Sequence, residues 1–319
     1  MRQPVGMTMT DSRIDFVTAA PVTGSLDVSW IHGAPARQRA AGPRIQAHHY
    51  DEHTVILRQS KTVSYEAPFL FLLFGNERAL LLDTGASTTD TGVRETVDGL
   101  IASWLASHPR DRYELVVAHT HGHNDHVAGD AHFAGRPATT VVNRELAAVQ
   151  EFFGFTSWPD QTVTLDLGGR MLEVMGSPGH HRAAITVYDP WSGFLLTGDT
   201  VLPGRLYAFD YPAFLTTLDR LVEFAADPSR SVTHVLGCHI EMTTTPRRAY
   251  PLGCRYQPDE PPLQMTPEQL VAIRDAARSL DGKQGRHVFD DFEIFNEPGM
   301  KEQLGLIARG LTARLRPGR

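Results

Sequence analysis

The chain has 319 residues, 41% hydrophobic and 21% charged, with a formal net charge of -7. That balance excludes an intrinsically disordered protein, and the length suffices for one large core or two small ones. No apolar run reaches the roughly 18 residues that cross a bilayer, and an acidic total argues against a nucleic-acid partner.

Residues 1–11 carry one arginine and no apolar core, so a secretory signal is not expected, and Met7 is an alternative start. Residues 1–45 show no clear periodicity and read as an N-terminal extension, with a loop over 33–43. Residues 46–319 read as the main domain. Strands are expected at 54–57, 69–74 and 79–82. Over 93–106, Val97, Ile101, Trp104 and Leu105 follow the helical period. A strand at 113–118, one at 139–142 and a helix at 144–152 come next. Strands at 171–174, 184–188 and 194–196, an amphipathic helix at 212–224 and a strand at 232–236 follow. Strands interleaved with helices favour helices packed outside sheets.

After residue 239 the pattern changes. Residues 243–262 are rich in Pro, Arg and Tyr and predict an irregular loop. Thr266-Pro267-Glu268-Gln269 has the N-cap, proline and acid that open a helix, which should run to about Leu280. One strand at 287–295 and a helix at about 300–315 complete the chain. Residues 243–319 are expected to form either a cap over the functional site or a flank of the main domain.

The run His119-Thr120-His121-Gly122-His123-Asn124-Asp125-His126 is the hardest feature to explain as structure. Imidazoles and a carboxylate without a thiolate are what a borderline metal such as zinc selects. So dense a run cannot converge on one ion and more plausibly straddles two. His121 and His123 share one face of an extended turn, while Asp125 and His126 reach a neighbouring position. The apolar segment 113–118 leads into the run, which places these donors at a strand's end on a rigid scaffold. Ala79-Leu80-Leu81-Leu82-Asp83, Ser177-Pro178-Gly179-His180, Phe194-Leu195-Leu196-Thr197-Gly198-Asp199 and Thr233-His234-Val235-Leu236-Gly237-Cys238-His239 end in the same way.

These five segments, in order from about Thr54 to Met242, resemble the metallo-β-lactamase superfamily. The resemblance implies an α/β fold: an αββα four-layer sandwich of two mixed β-sheets flanked by helices, with metals along one edge between the sheets. By position it implies His121, His123 and His180 as a first metal site and Asp125, His126 and His239 as a second. Asp199 would bridge them, and Asp83 would support the ligands from behind. His119 is expected either to hold a ligand ring in place or to serve packing alone. Asp199 with two full ligand sets is similar to dinuclear hydrolases such as glyoxalase II. The β-lactamases more often put Cys at the Asp199 position, and the flavodiiron oxidoreductases have Glu where this chain has His123. Residues 197–205 look like the corresponding stretch of glyoxalase II-like thioesterases. Lys301 and Arg309, however, do not match the basic cluster with which those enzymes hold glutathione.

What this implies is a metal-dependent hydrolase with two zinc ions, iron or manganese being the alternative metals. A hydroxide shared by the metals would attack an acyl carbon, with Asp125 and Asp199 as the catalytic carboxylates. Asp125 either orients the hydroxide and moves a proton or acts as a ligand only. A thiolate, with a pKa near 8.5, leaves without a proton donor, whereas an amide nitrogen needs one. No dedicated acid is evident, which favours a small acyl thioester, ester or lactone. A mononuclear iron sulfur (persulfide) dioxygenase, a β-lactam hydrolase and a non-catalytic binding protein on the same scaffold are the competing readings. His181, Arg182, Arg205, Tyr207 and Glu241 flank the motifs and are candidates for substrate contact, Tyr207 as a donor to an oxyanion. The expected partner is a small molecule, with no nucleic acid and no membrane, and homo-oligomer formation is left open. Cys238 and Cys254 are expected as free thiols in a reducing cytoplasm. Cys238, next to His239 in an extended segment, faces the other way and should be packed. His48, His49 and His53 are expected at the surface or in packing.

Overall fold

The computed structural model describes residues 13–300 except 36–37, 39–41 and 90–91, together with 304–306 and 308. One six-stranded sheet runs in chain order: β1 (Ile45–His49), β2 (Thr54–Gln59), β3 (Phe69–Phe74), β4 (Arg78–Leu82), β5 (Glu114–Ala118) and β6 (Thr139–Val141). Its first four strands are antiparallel, and β4, β5 and β6 are parallel to one another. The second sheet has the order β13-β12-β10-β9-β8-β7. Its strands are β7 (Thr162–Asp166), β8 (Met171–Gly176), β9 (Ile185–Asp189), β10 (Phe194–Gly198), β12 (His234–Gly237) and β13 (Gln264–Met265). Within it β10 and β12 are parallel and the other pairs antiparallel.

The alternation of strand side chains explains the layering. In β3, Phe69, Phe71 and Leu73 enter a core shared with Val174, Ile185, Val187 and Leu196 of the second sheet. Leu70, Leu72 and Phe74 point the other way, into a core shared with Val97, Ile101 and Trp104 of α1 (Val93–Ser107). A strand buried on both faces reads as an unbroken apolar run, which is what Phe-Leu-Phe-Leu-Leu-Phe is. On the far side of the second sheet, α4 (Tyr211–Ala226) and α5 (Pro267–Ser279) bury Phe214, Leu218, Leu270 and Ile273 against Leu195 and Val235. The result is helix, sheet, sheet, helix. Two shorter helices, α2 (Asn124–Val127) and α3 (Leu146–Phe153), lie in the connections around β6.

Local signals behave as the sequence suggests. Thr266 and Gln269 form a reciprocal capping box on α5, and Asp210 caps α4 by accepting from the Ala213 amide at 3.1 Å. The single strand expected at 287–295 is instead a hairpin, β14 (Gly285–Val288) and β15 (Glu293–Asn296). Asp290 and Asp291 sit in its turn, closed by the Phe289 amide on the Phe292 carbonyl. β15 pairs in parallel with β11 (Arg205–Ala208), completing a small third sheet. The helix expected at 300–315 lies largely outside the described residues.

At the edge away from β4's carboxyl end, buried Arg170 stitches the two sheets. It donates to both oxygens of Asp189 at 2.6 and 3.0 Å, to the His53 and Phe74 carbonyls, and to Thr54 Oγ1. Residues 13–35 lie on the sandwich through Phe16, edge-on to His53 and Trp191, and Trp30, edge-on to Phe69. Among the described residues no helix is long and apolar enough to cross a membrane.

Candidate metal centre

β4, β5, β10 and β12 all deliver their carboxyl ends to one edge of the sandwich. β8 does too, since it and β10 are both antiparallel to β9. Such carboxyl ends are where open α/β sheets gather binding groups. Asp83 follows β4, the histidine run follows β5, His180 follows β8, Asp199 follows β10 and His239 follows β12. Gly198 makes this convergence sterically feasible. Its φ is 57°, and a Cβ there would stand 2.7 Å from the Thr120 Cβ, so the Asp199 loop can lie against the end of β5 only as glycine.

Two donor sets result, each with its ligand atoms within 4.8 Å of one another: His121, His123 and His180, and Asp125, His126, Asp199 and His239. In the first, His123 Nδ1 lies 2.9 Å from His121 Nε2 and 3.0 Å from His180 Nε2. In the second, His239 Nε2 lies 3.4 Å from His126 Nε2 and 3.4 Å from Asp125 Oδ2. Asp199 stands between the sets. Its Oδ2 is 3.8 Å from His180 Nε2 and 3.6 Å from His126 Nε2, and its Oδ1 is 3.5 Å from His239 Nε2.

These donors fit divalent cations on three counts. Ligands at about 2.0–2.1 Å around one tetrahedral ion stand roughly 3.3 Å apart, close to the spacing seen here. The backs of the rings are committed: His180 Nδ1 donates to the Tyr207 carbonyl, His239 Nδ1 to the Glu66 carbonyl and His126 Nδ1 to Asp83 Oδ2. Each commitment leaves an Nε2 lone pair facing inward, the arrangement that metal-binding imidazoles require. Asp199 Oδ1 is also buried without a hydrogen-bond donor, an arrangement that a cation would relieve.

Asp83 organises the ligands from behind. It is fully buried, accepts from the Thr120 amide and hydroxyl at 2.8 Å each and from His126 at 2.9 Å, and receives the Cys238 thiol at 3.4 Å. Cys238 is therefore a packed thiol whose pKa is pushed up by burial and by Asp83, and both cysteines are free. His119 lies behind this group, 3.2 Å from Asp130 and 4.0 Å from Asp83.

Burial and charge divide the histidines. Burial depresses His121 and His123, and takes His180 down to about 4. For His126 and His239 burial acts the same way but the carboxylates overcome it. Asp83, Asp125 and Asp199 raise His126, and Asp199 and Asp125 raise His239 to about 9. Conversely, burial would raise Asp125 and Asp199, but His126 and His239 hold both low, Asp199 at about 2. The second set is thus more strongly polar than the first.

A cavity of about 210 Å³ opens over both sets, walled by Glu66, Leu202, Arg205, Tyr207, Phe209, Glu241 and Leu252 besides the ligands. Of the candidate contacts, Tyr207 lines it with a phenol kept protonated by burial and by Glu241. Arg205 is buried, donates to Glu241 at 2.7 Å and also donates to the Tyr250 carbonyl, so Arg205 and Glu241 form a fixed pair in the wall. His181 lies 5.0 Å from the His123 ring, beside the cavity. Leu202 lies within the stretch 197–205, whereas Glu66, Phe209 and Leu252 are not in the motifs. Glu66 sits in a loop before β3, and Leu252 in the irregular segment 243–262, where no pattern marks them in advance. Phe209, two residues past Tyr207 and stacked on it at 5.9 Å, continues the alternation of β11 and could have been found that way.

Residues 67–234 match the metallo-beta-lactamase superfamily. A hydroxyacylglutathione hydrolase of Synechococcus sp. (strain JA-3-3Ab) is 30% identical over 212 residues, which is 65% of this chain and 76% of that protein. Acyl-coenzyme A thioesterase MBLAC2 of Gallus gallus is 27% identical over 222 residues, 59% of this chain and 77% of that protein. In fold alone, the crystal structure of VMB-1 is similar, with a TM-score of 0.50 and 14% identity over 76% of this chain and 100% of that one. With a match over more than half its length and the strand order described above, the chain belongs to the metallo-beta-lactamase superfamily.

Proposed function

We propose that this protein is a dinuclear zinc-dependent hydrolase of small acyl thioesters, with esters and lactones as related substrates. The observation that carries the reading is the pair of donor sets sharing Asp199 beneath one cavity. The names of both relatives, a hydroxyacylglutathione hydrolase and an acyl-coenzyme A thioesterase, support an acyl thioester as substrate.

His121, His123 and His180 would hold one ion and Asp125, His126 and His239 the other, with Asp199 between them. Bound there, two divalent ions supply a water of lowered pKa and a Lewis acid for the carbonyl. The chain's own groups do the rest. Asp125, beside His126 and His239, orients the attacking water and accepts its proton. The buried Tyr207 phenol donates to the carbonyl oxygen as charge grows there. Leu202, Phe209 and Leu252 flank the acyl group and exclude solvent. Water oxygen bonds to the acyl carbon, the carbon–sulfur bond breaks, and the thiol departs as a thiolate that needs no dedicated acid.

Metal quantification combined with turnover of thioesters, esters, lactones and β-lactams tests the reading. Two zinc equivalents and thioester cleavage are expected. His123→Ala should abolish turnover and leave the far-ultraviolet circular dichroism unchanged. One iron per chain with oxygen consumption would replace hydrolysis by oxidation, and full activity in His123→Ala would remove the first site.

A further inference from the structure

A second depression adjoins the metal centre. It has a volume of about 280 Å³ and shares the His123 wall with the metal cavity. The two compartments differ in charge. The metal cavity is walled by the carboxylates of Glu66, Asp125 and Glu241, with Arg205 already paired to Glu241. The neighbouring groove carries two guanidinium groups, Arg144 and Arg182, against one carboxylate, Glu145. Glu145 is bound to Arg182 at 2.7 Å. Arg144 has no carboxylate partner among the described residues and makes only long contacts, 3.3 Å to Asn124 Oδ1 and 3.5 Å to the Gly122 carbonyl. The third polar wall is His181. Its Nδ1 accepts from the Ala183 amide at 3.1 Å, which fixes the tautomer with the proton on Nε2 and so presents a neutral donor. The ring packs closely on Gly122, where a Cβ would stand a tight 3.1 Å from the His181 Cε1.

We propose that this groove seats the anionic end of the thiol leaving group, so that Arg144 and Arg182 determine which thioesters the enzyme prefers. The inference rests on the thioesterase reading above and adds the leaving-group class to it. A small apolar acyl group suits the space beside Leu202, Phe209 and Leu252, whose carboxylate neighbours would repel an anion. With the carbonyl held over the two donor sets, the sulfur substituent extends past His123 into this adjoining groove, whose described lining carries more guanidinium than carboxylate groups. The excess of guanidinium groups draws anions to the groove mouth. Guanidinium forks match carboxylate and phosphate oxygens alike. The recognised chemistry is therefore a carboxylate or phosphate carried several bonds from the sulfur.

The test uses one acyl group on three thiols: glutathione, which bears carboxylates, coenzyme A, which bears phosphates, and neutral N-acetylcysteamine. The metal-loaded wild-type protein should show higher kcat/KM on one or both anionic thioesters, falling as ionic strength rises. Both arginines are exposed, so R144A/R182A should fold normally. It should lose roughly tenfold in kcat/KM on the preferred anionic thioester, mostly through KM, and keep its rate on the neutral one. The two anionic arms identify whether carboxylate or phosphate is the group bound. Equal rates on all three wild-type reactions, or equal losses on all three in the variant, would overturn the groove assignment while leaving the thioesterase intact. If no thioester is cleaved, the functional reading itself fails. Calorimetric titration with S-methylglutathione and free coenzyme A then still decides the groove. Binding of either that weakens in R144A/R182A supports it, and absence of binding, or binding indifferent to the substitution, overturns it.

Discussion

Asp83 holds a left-handed backbone conformation, φ 72°, which a side chain with a Cβ adopts at some cost. The return is a carboxylate that binds Thr120, His126 and Cys238 at once. Asp83→Asn keeps a residue tolerant of that conformation while removing the charge that makes His126 basic. Metal affinity in Asp83→Asn should fall roughly 10- to 100-fold with the fold intact, measured by competition with a chelating dye. A second buried group makes a prediction about pH. Lys61 is packed beside Arg58, which already binds both oxygens of Glu260, and burial together with Arg58 lowers its pKa to about 8. Below pH 8 it is charged in both folded and unfolded chains, and folding bears the cost of burying that charge. Between about 8 and the unfolded value of 10.5 the folded chain loses the proton first, so stability rises with pH. Lys61→Met should therefore be more stable than wild type at pH 7, by at most about 3 kcal/mol. The advantage should shrink towards pH 10 in urea unfolding.

Elements differ in how plainly the sequence announces them. β3, β4, β5 and β10 are buried on both faces and appear as apolar runs, with aromatic or β-branched residues in β3, β5 and β10 and leucines in β4. β1 and β7 sit at sheet edges, where half of each strand faces solvent and polar residues such as His48, His49 and Thr164 dilute the pattern. β11 and β13 are too short to show a period. The site follows the same logic. His121, His123, Asp125 and His126 are legible because they are contiguous, and the other ligands because each ends an apolar strand. Glu66 and Leu252 are not, because their loops are placed by long-range contacts such as Arg255 on the Lys61 and Thr62 carbonyls. Arg170 was equally silent in sequence, yet it joins β9, β2 and β3 at the opposite edge. Arg170→Leu leaves Asp189 buried without its partner and should cost roughly 3–5 kcal/mol in denaturant unfolding. Turnover per folded molecule should be unchanged, since the substitution lies at the far edge from the ligands.

At the scale of the whole molecule, neither donor set belongs to one sheet. His121, His123, Asp125 and His126 follow β5 of the first sheet, while His180, Asp199 and His239 come from the second. Metal bound only in the assembled sandwich must stabilise it by mass action. Chelation should lower the thermal midpoint, and added zinc should raise it in a concentration-dependent way. A midpoint indifferent to both would mean that the two sets bind no metal in solution.

The same division of donors sets an order of events during synthesis. A growing chain that has emerged only as far as α3 carries the histidine run but none of its three counterparts, so it can offer an ion no complete coordination sphere. The first set is complete only after His180 and the second only after His239, so loading of the pair must wait until residue 239 has left the ribosome and the second sheet has closed over the first. The ion is then a late clasp on a finished scaffold, not a seed around which the scaffold grows.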